Sequence, residues 1–129
     1  MEIIIVIILI GIIAGFAIPN YSKSIRKTNE REMITQLCSI HAANIIYKSQ
    51  ARGYFNYSSG DLGDINTGLG LNILANGLSY TYNGDDTSFT VVATSSDFAV
   101  RINELPLSST NPCCDRLVID NVCPSLTDC

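Results

Sequence analysis

The chain has very little of what an enzyme active site requires. Its 129 residues include a single histidine, and they hold no nucleophile–base–orienter set, phosphate-binding loop or metal cluster. The chain also has no surplus of positive charge, because it contains eight Lys and Arg and twelve Asp and Glu, which gives a formal charge of −4. We therefore expect no catalysis, no cofactor, and no general nucleic-acid site, which needs a positive field.

Charge is almost absent from residues 1–19, where Glu2 is the one charged side chain. About 17 apolar residues at 1.5 Å each cover roughly 26 Å, near the lower limit for crossing a bilayer. A cleavable secretory signal would begin with basic residues, and this segment begins with an acid. An ordinary anchor is a second interpretation. The positive-inside rule would then place the head in the cytoplasm, because Lys23, Arg26, Lys27 and Arg31 follow the apolar run.

Two details of this segment go beyond what an ordinary anchor needs. A carboxylate at the start of an apolar run is costly in lipid, so Glu2 is expected to have a partner or a function. Gly11 and Gly15 interrupt the run, and Pro19 closes it. These positions have low helix propensity, and small residues allow helices to approach closely.

Residues 1–21 read MEIIIVIILIGIIAGFAIPNY and resemble the N-terminus of type IV pilins and type II secretion pseudopilins. Glu2 matches the family's glutamate, Gly11 its mid-helix glycine, and Pro19 its proline before Asn-Tyr. That glutamate is the fifth residue of the mature chain in the family. We therefore expect this numbering to begin about three residues inside the mature chain, after an N-methylated residue.

The resemblance implies a filament subunit. Its partners would be identical subunits in a helical homopolymer, the inner membrane before assembly, the pilus assembly machinery and a prepilin peptidase. The assembly residues would be Glu2, Gly11, Gly15 and Pro19, with the Glu2 carboxylate paired to an N-terminal amine. The assembled filament would lie at the cell surface and serve attachment, motility, DNA uptake or secretion.

The rest of the chain predicts an α+β fold, in which a long N-terminal helix packs on a small antiparallel sheet. We divide it into a hydrophobic half-helix (1–19), an amphipathic half-helix (20–52) and a head (53–129). Apolar residues at three- and four-residue steps extend the helix to about Arg52. Residues 54–76 read as a loop with a helical turn at Leu69–Leu74. The predicted strands are Leu78–Tyr82, Ser88–Thr94, Phe98–Asn103 and Leu117–Ile119, with a turn at Asn83–Asp86 between the first two.

Five cysteines are present, and four of them lie in the last seventeen residues: Cys113, Cys114, Cys123 and Cys129. A zinc site is disfavoured because the tail has no C-x-x-C pair and no histidine. Disulfides outside the cytoplasm fit better. We predict two disulfides within the tail, with the adjacent Cys113 and Cys114 pairing to separate partners and Cys38 unpaired.

Three further features have structural interpretations. His41 is expected to be a packed or surface side chain, and Cys38 a small core residue. Asp61, Asp64 and Asn66 match no EF-hand spacing and are expected to be turn residues rather than calcium ligands.

Two functional alternatives stay open from the sequence. The chain is predicted to be the major subunit of a pilus-like filament, but a minor pilin or a pseudopilin has the same N-terminal signature. In the other class, a monomeric membrane-anchored binding module would use only its head and would not polymerise.

Overall fold

The computed structural model describes residues 2–119 and 121–129, without the side chains of Glu2, Ala17 and Pro19. Its first element is the helix α1, Glu2–Ala51, of 50 residues. Within the second half of α1, Met33, Leu37 and Ile40 are fully buried. Their three- and four-residue spacing places them on one face of the helix. The predicted single helix ending near Arg52 is confirmed.

The remaining elements build a head of one short helix and five strands. The helix α2 is Leu62–Leu69. The strands are β1 Ser58–Ser59, β2 Ser79–Gly84, β3 Phe89–Thr94, β4 Ala99–Asn103 and β5 Cys113–Cys114. They form one sheet in the order β1-β2-β3-β4-β5, with every neighbouring pair antiparallel. The α+β class with a long helix on a small antiparallel sheet is confirmed.

The core lies between the buried face of α1 and one face of the sheet. Side chains alternate in burial along β2 and β3, so that Tyr80, Tyr82, Val91 and Ala93 face inward. This period of two is the signature of a strand with one covered face. Ile65 of α2 is also fully buried and belongs to the same core.

The helical turn predicted at Leu69–Leu74 is wrong, since the helix lies seven residues earlier, at α2. Its N-cap is Asp61, whose carboxylate accepts from the Gly63 N–H at 2.7 Å. Its C-cap is Gly70, in the left-handed conformation at φ 65°. A left-handed glycine ends a helix, so α2 stops where the turn was expected to begin.

The predicted strand Leu117–Ile119 is also wrong. Residues 116–119 form a turn and bend instead, and Leu117 is 87% exposed. The fifth strand is the cysteine pair itself, with Cys114 opposite Val100 and Cys113 opposite Arg101. The disulfides tie this strand to the rest of the tail, a tertiary constraint that β-propensity does not contain.

The turn between the first two long strands lies slightly later than predicted. Gly84 still pairs with Phe89, and the Asp85 carboxylate closes the turn by accepting from the Thr87 N–H at 2.7 Å and the Ser88 N–H at 2.8 Å. Together with the Thr87 hydroxyl, these donors lower the pKa of Asp85 to about 2, because they favour the ionised form.

The head has two distinct ends along the axis of α1. We call the end nearest Arg26 and Glu30 the lower end, since the first half of α1 projects from it. Arg26 lies there with its guanidinium carbon 5.8 Å from the centre of the Phe98 ring. At the opposite, upper end, the chain leaves α1 and Tyr54 donates its N–H to the Asp86 carbonyl.

Candidate functional site: the uncovered half of the helix

The first half of α1 carries apolar side chains that no other part of the described chain covers. Between residues 3 and 25 every residue whose side chain is described is exposed, with values such as 76% for Ile3 and 74% for Phe16. By length and composition, α1 is the one helix of the described residues that could cross a membrane. Such a surface is far more apolar than a soluble monomer tolerates, so it is expected to contact lipid or protein.

The glycines of this segment contact nothing outside their own helix. A Cβ built on Gly11 or Gly15 would meet no atom within 4 Å. Glycine costs about 1 kcal/mol relative to alanine in a helix interior, and no contact within the described chain explains it here. Gly11, Ala14 and Gly15 lie at i, i+3 and i+4, so they share one face. A face of small residues permits close approach by another helix.

Two of the sequence-predicted assembly residues are described only as backbone. Glu2 is the first residue of α1, and Pro19 lies inside it without ending it. Their side chains lie outside the described part of the structure, so the pairing of Glu2 stays a prediction. Gly11 and Gly15 are thus the predicted assembly residues whose surroundings are described, and both have free space where a side chain would lie.

A buried carboxylate joins α1 to the tail at the lower end of the head. Glu30 is 1% exposed. Its oxygens accept from the Ser125 N–H at 2.9 Å, the Ser125 hydroxyl at 2.5 Å and the Leu126 N–H at 3.1 Å. Glu30 belongs to the amphipathic half-helix, and the sequence prediction did not include it among the site residues. The signal that it is buried was its position three residues before Met33 on the apolar face.

The tail is cross-linked by two disulfides, Cys113–Cys129 and Cys114–Cys123. The adjacent cysteines pair with separate partners, and Cys38 is free, in agreement with the sequence prediction. Next to them Asp115, which is buried, forms an ion pair with Arg101 at 2.6 Å. The last seventeen residues are therefore a cross-linked unit rather than a loose end.

The two residues of α1 that could carry chemistry, His41 and Cys38, have structural roles. His41 is buried, and its Nε2 lies 3.1 Å from the Leu105 carbonyl, which can only accept. Cys38 is partly buried, and burial raises its pKa, so its thiolate is disfavoured. Both residues are packed between α1 and the head, as expected.

The polar residues considered for calcium are also engaged. Asp64 accepts from the Tyr57 hydroxyl at 3.3 Å and the Ser59 hydroxyl at 3.0 Å. Asn66 holds the chain after α2 through the N–H and the carbonyl of Ile73. Among the described residues no group of three His, Cys, Asp or Glu is placed to bind a metal ion.

An aromatic cluster in the upper half of the head is a feature that the sequence did not predict. Phe55 contacts Tyr47, Tyr57 and Tyr82 with ring centres 5.5 to 5.6 Å apart. The Tyr82 hydroxyl donates to the Asn44 side chain at 2.8 Å, and burial raises the Tyr82 pKa. Such rings stabilise the packing of the loop after α1 against the sheet.

No protein-family model matches this chain, and neither does any curated protein or solved structure. A functional assignment therefore rests on the fold and on the chemistry of the uncovered half of α1.

Proposed function

We propose that this chain is the major structural subunit of a type IV pilus-like filament. Many copies pack the first halves of their α1 helices into a shared core and display their heads outside. Before assembly the same half-helix spans the inner membrane. Assembly then replaces lipid contacts with helix–helix packing, and contacts that do not close into a ring extend as a filament.

One observation supports this proposal above the others. The uncovered half of α1 combines exposed apolar side chains with Gly11 and Gly15, around which the chain itself places nothing. A lipid anchor needs the apolar residues but has no use for helix-weakening glycines. Helix–helix packing uses both, because small residues let two backbones approach.

Electron microscopy of material sheared from the cell surface tests the proposal. A filament subunit appears in fibres labelled by an antibody against the head. A monomeric membrane-anchored module gives no fibres and stays in the membrane fraction. A minor pilin or pseudopilin is distinguished by copy number, because it would be a trace component of the fibres rather than their bulk.

The variant Gly15→Leu sharpens this test. A larger side chain at Gly15 meets nothing in the subunit, and leucine has the higher helix propensity, so expression, membrane insertion and head folding should be unchanged. Fibre yield should fall sharply, because the added side chain keeps neighbouring helices apart. Ile12→Leu, which conserves size on the same helix, is the matched control. Normal fibre yield from Gly15→Leu would contradict helix packing at this face.

A further inference from the structure

Three exposed apolar side chains lie between Cys114 and Cys123 in the tail, and Val122, the last of them, meets α1 at the lower end of the head. Leu117 is 87% exposed, Val118 52% and Val122 57%. We call these three residues the lower patch. Asp120 lies outside the described residues and is not part of it. An apolar side chain as exposed as Leu117 gains nothing from the fold of its own subunit.

The Val122 end of the lower patch is held against α1. The Arg26 guanidinium donates to the Val122 carbonyl at 3.0 Å. On one side of the patch the Cys114–Cys123 disulfide closes the loop that carries it, and on the other Glu30 binds Ser125 and Leu126. The height of Val122 along α1 is therefore set by Arg26 and Glu30.

This height coincides with the surface of a bilayer. About 20 helical residues cross the hydrocarbon core of roughly 30 Å, so a span that begins at Ile3 ends near Ser22. The Cα of Arg26 then lies about 6 Å beyond the core. Helical side chains lean toward the N-terminus, which brings the Arg26 guanidinium and the Val122 carbonyl still closer. The headgroup layer is roughly 5–7 Å thick on each side.

We propose that the lower patch inserts into the lipid interface while the subunit is in the membrane, before it is assembled into the filament. This rests on the proposed function, in which the first half of α1 spans the bilayer. The tail would then act as a second membrane contact that sets the tilt and rotation of the head. The exposed cations Lys23 and Lys27 lie one turn apart on one face of α1, near its exit, and favour anionic headgroups.

The charges at this end do not all favour lipid. Asp97 is exposed at the lower end and would face the headgroups, whereas Asp128 pairs with Arg116 at 3.2 Å. The two exposed cations outnumber the Asp97 carboxylate, so the described exposed side chains near the exit of α1 are basic on balance.

Tryptophan fluorescence can test the insertion directly, because the chain contains no tryptophan. The full chain would be reconstituted in vesicles of phosphatidylcholine and phosphatidylglycerol as Leu117→Trp or Val118→Trp. Leu105→Trp is the matched control, since Leu105 is similarly exposed at 55%. Its carbonyl lies beside His41, about 22 Å further along α1 than Arg26.

The expected result is a blue-shifted emission from Leu117→Trp and Val118→Trp, with quenching by lipids brominated near the headgroup several-fold stronger than for Leu105→Trp. Water-like emission from both patch variants would overturn the proposal. So would emission that shifts only in purified fibres, because the patch would then contact a neighbouring subunit. Ile10→Trp tests the membrane span itself: if lipids brominated deep in their acyl chains fail to quench it, the span is wrong, and both proposals fall.

Discussion

At the scale of single residues, Glu30 gives the most direct stability prediction. Its carboxylate is removed from water and accepts three hydrogen bonds from Ser125 and Leu126. In Glu30→Ala these donors lose their partner inside the protein. We expect the free energy of unfolding to fall by roughly 3 kcal/mol, because charge-assisted bonds are lost and the donors stay buried. Denaturant titration of the full chain in detergent measures this loss.

The control for this prediction is Glu32→Ala on the same helix. Glu32 bonds to side chains of Gln36 and Asn76 near the surface, where water can replace it, so the loss should be clearly smaller. Glu30→Gln should be intermediate, since an amide oxygen can still accept. Equal effects of Glu30→Ala and Glu32→Ala would show that burial of the carboxylate contributes little.

Glu2 gives the residue-scale prediction for assembly. Among apolar helices an unpaired carboxylate would be very costly. The family resemblance suggests that its partner is an N-terminal amine of its own or a neighbouring subunit. A low dielectric strengthens that pairing and penalises wrong registers. Glu2→Gln and Glu2→Ala should leave expression, insertion and head folding unchanged, yet sharply reduce fibre yield by electron microscopy.

The alternative role for Glu2 is a favourable charge at the helix N-terminus, worth under about 1 kcal/mol. Asp97→Asn, which removes one exposed carboxylate from the head, controls for net charge. If a Glu2 variant assembles at the normal level, this smaller role suffices and the pairing is wrong.

At the scale of elements, α1 is continuous in the isolated subunit from Glu2 to Ala51. We expect it to lose regular hydrogen bonding in the filament between Gly11 and Pro19. Proline has no N–H and crowds the carbonyl four residues earlier, at Gly15, while the glycines weaken the same stretch. Unwinding there is the least costly way to extend the subunit. A filament density map with an unbroken helix from Ile5 to Ile34 would contradict this.

At the scale of the whole molecule, the two disulfides stabilise the folded head, and removing each of them should cost a different amount of stability. On the chain-entropy model each bridge stabilises the head by about 3 kcal/mol. The pair Cys114→Ser/Cys123→Ser should cost more than Cys113→Ser/Cys129→Ser. Both members of the first pair are buried, whereas Cys129 is exposed, and buried serine hydroxyls add a desolvation cost. Denaturant unfolding of the double variants gives the ranking.

Cys38→Ser is the control for the disulfide variants, because Cys38 forms no bridge. It should leave the tail cross-links intact. Peptide mapping without reducing agent that finds Cys38 bridged, or the tail reduced, would contradict the pairing.

The sequence by itself determined the features that repeat along the chain. The apolar run, the three- and four-residue spacing around Met33, Leu37 and Ile40, and the alternation in β2 and β3 arise from local periodicity, so α1 and the strands β2, β3 and β4 were predictable, whereas the two-residue β1 lies in a segment predicted to be a loop. The presence of four cysteines in the last seventeen residues likewise predicted a disulfide-linked tail. Only the tertiary structure decided that Glu30 bonds to Ser125 and Leu126, that Cys113–Cys114 is the fifth strand, and that Leu117 is exposed. Each of these depends on contacts between residues that are distant in the chain, or on cross-links, and neither leaves a periodic signal in the sequence.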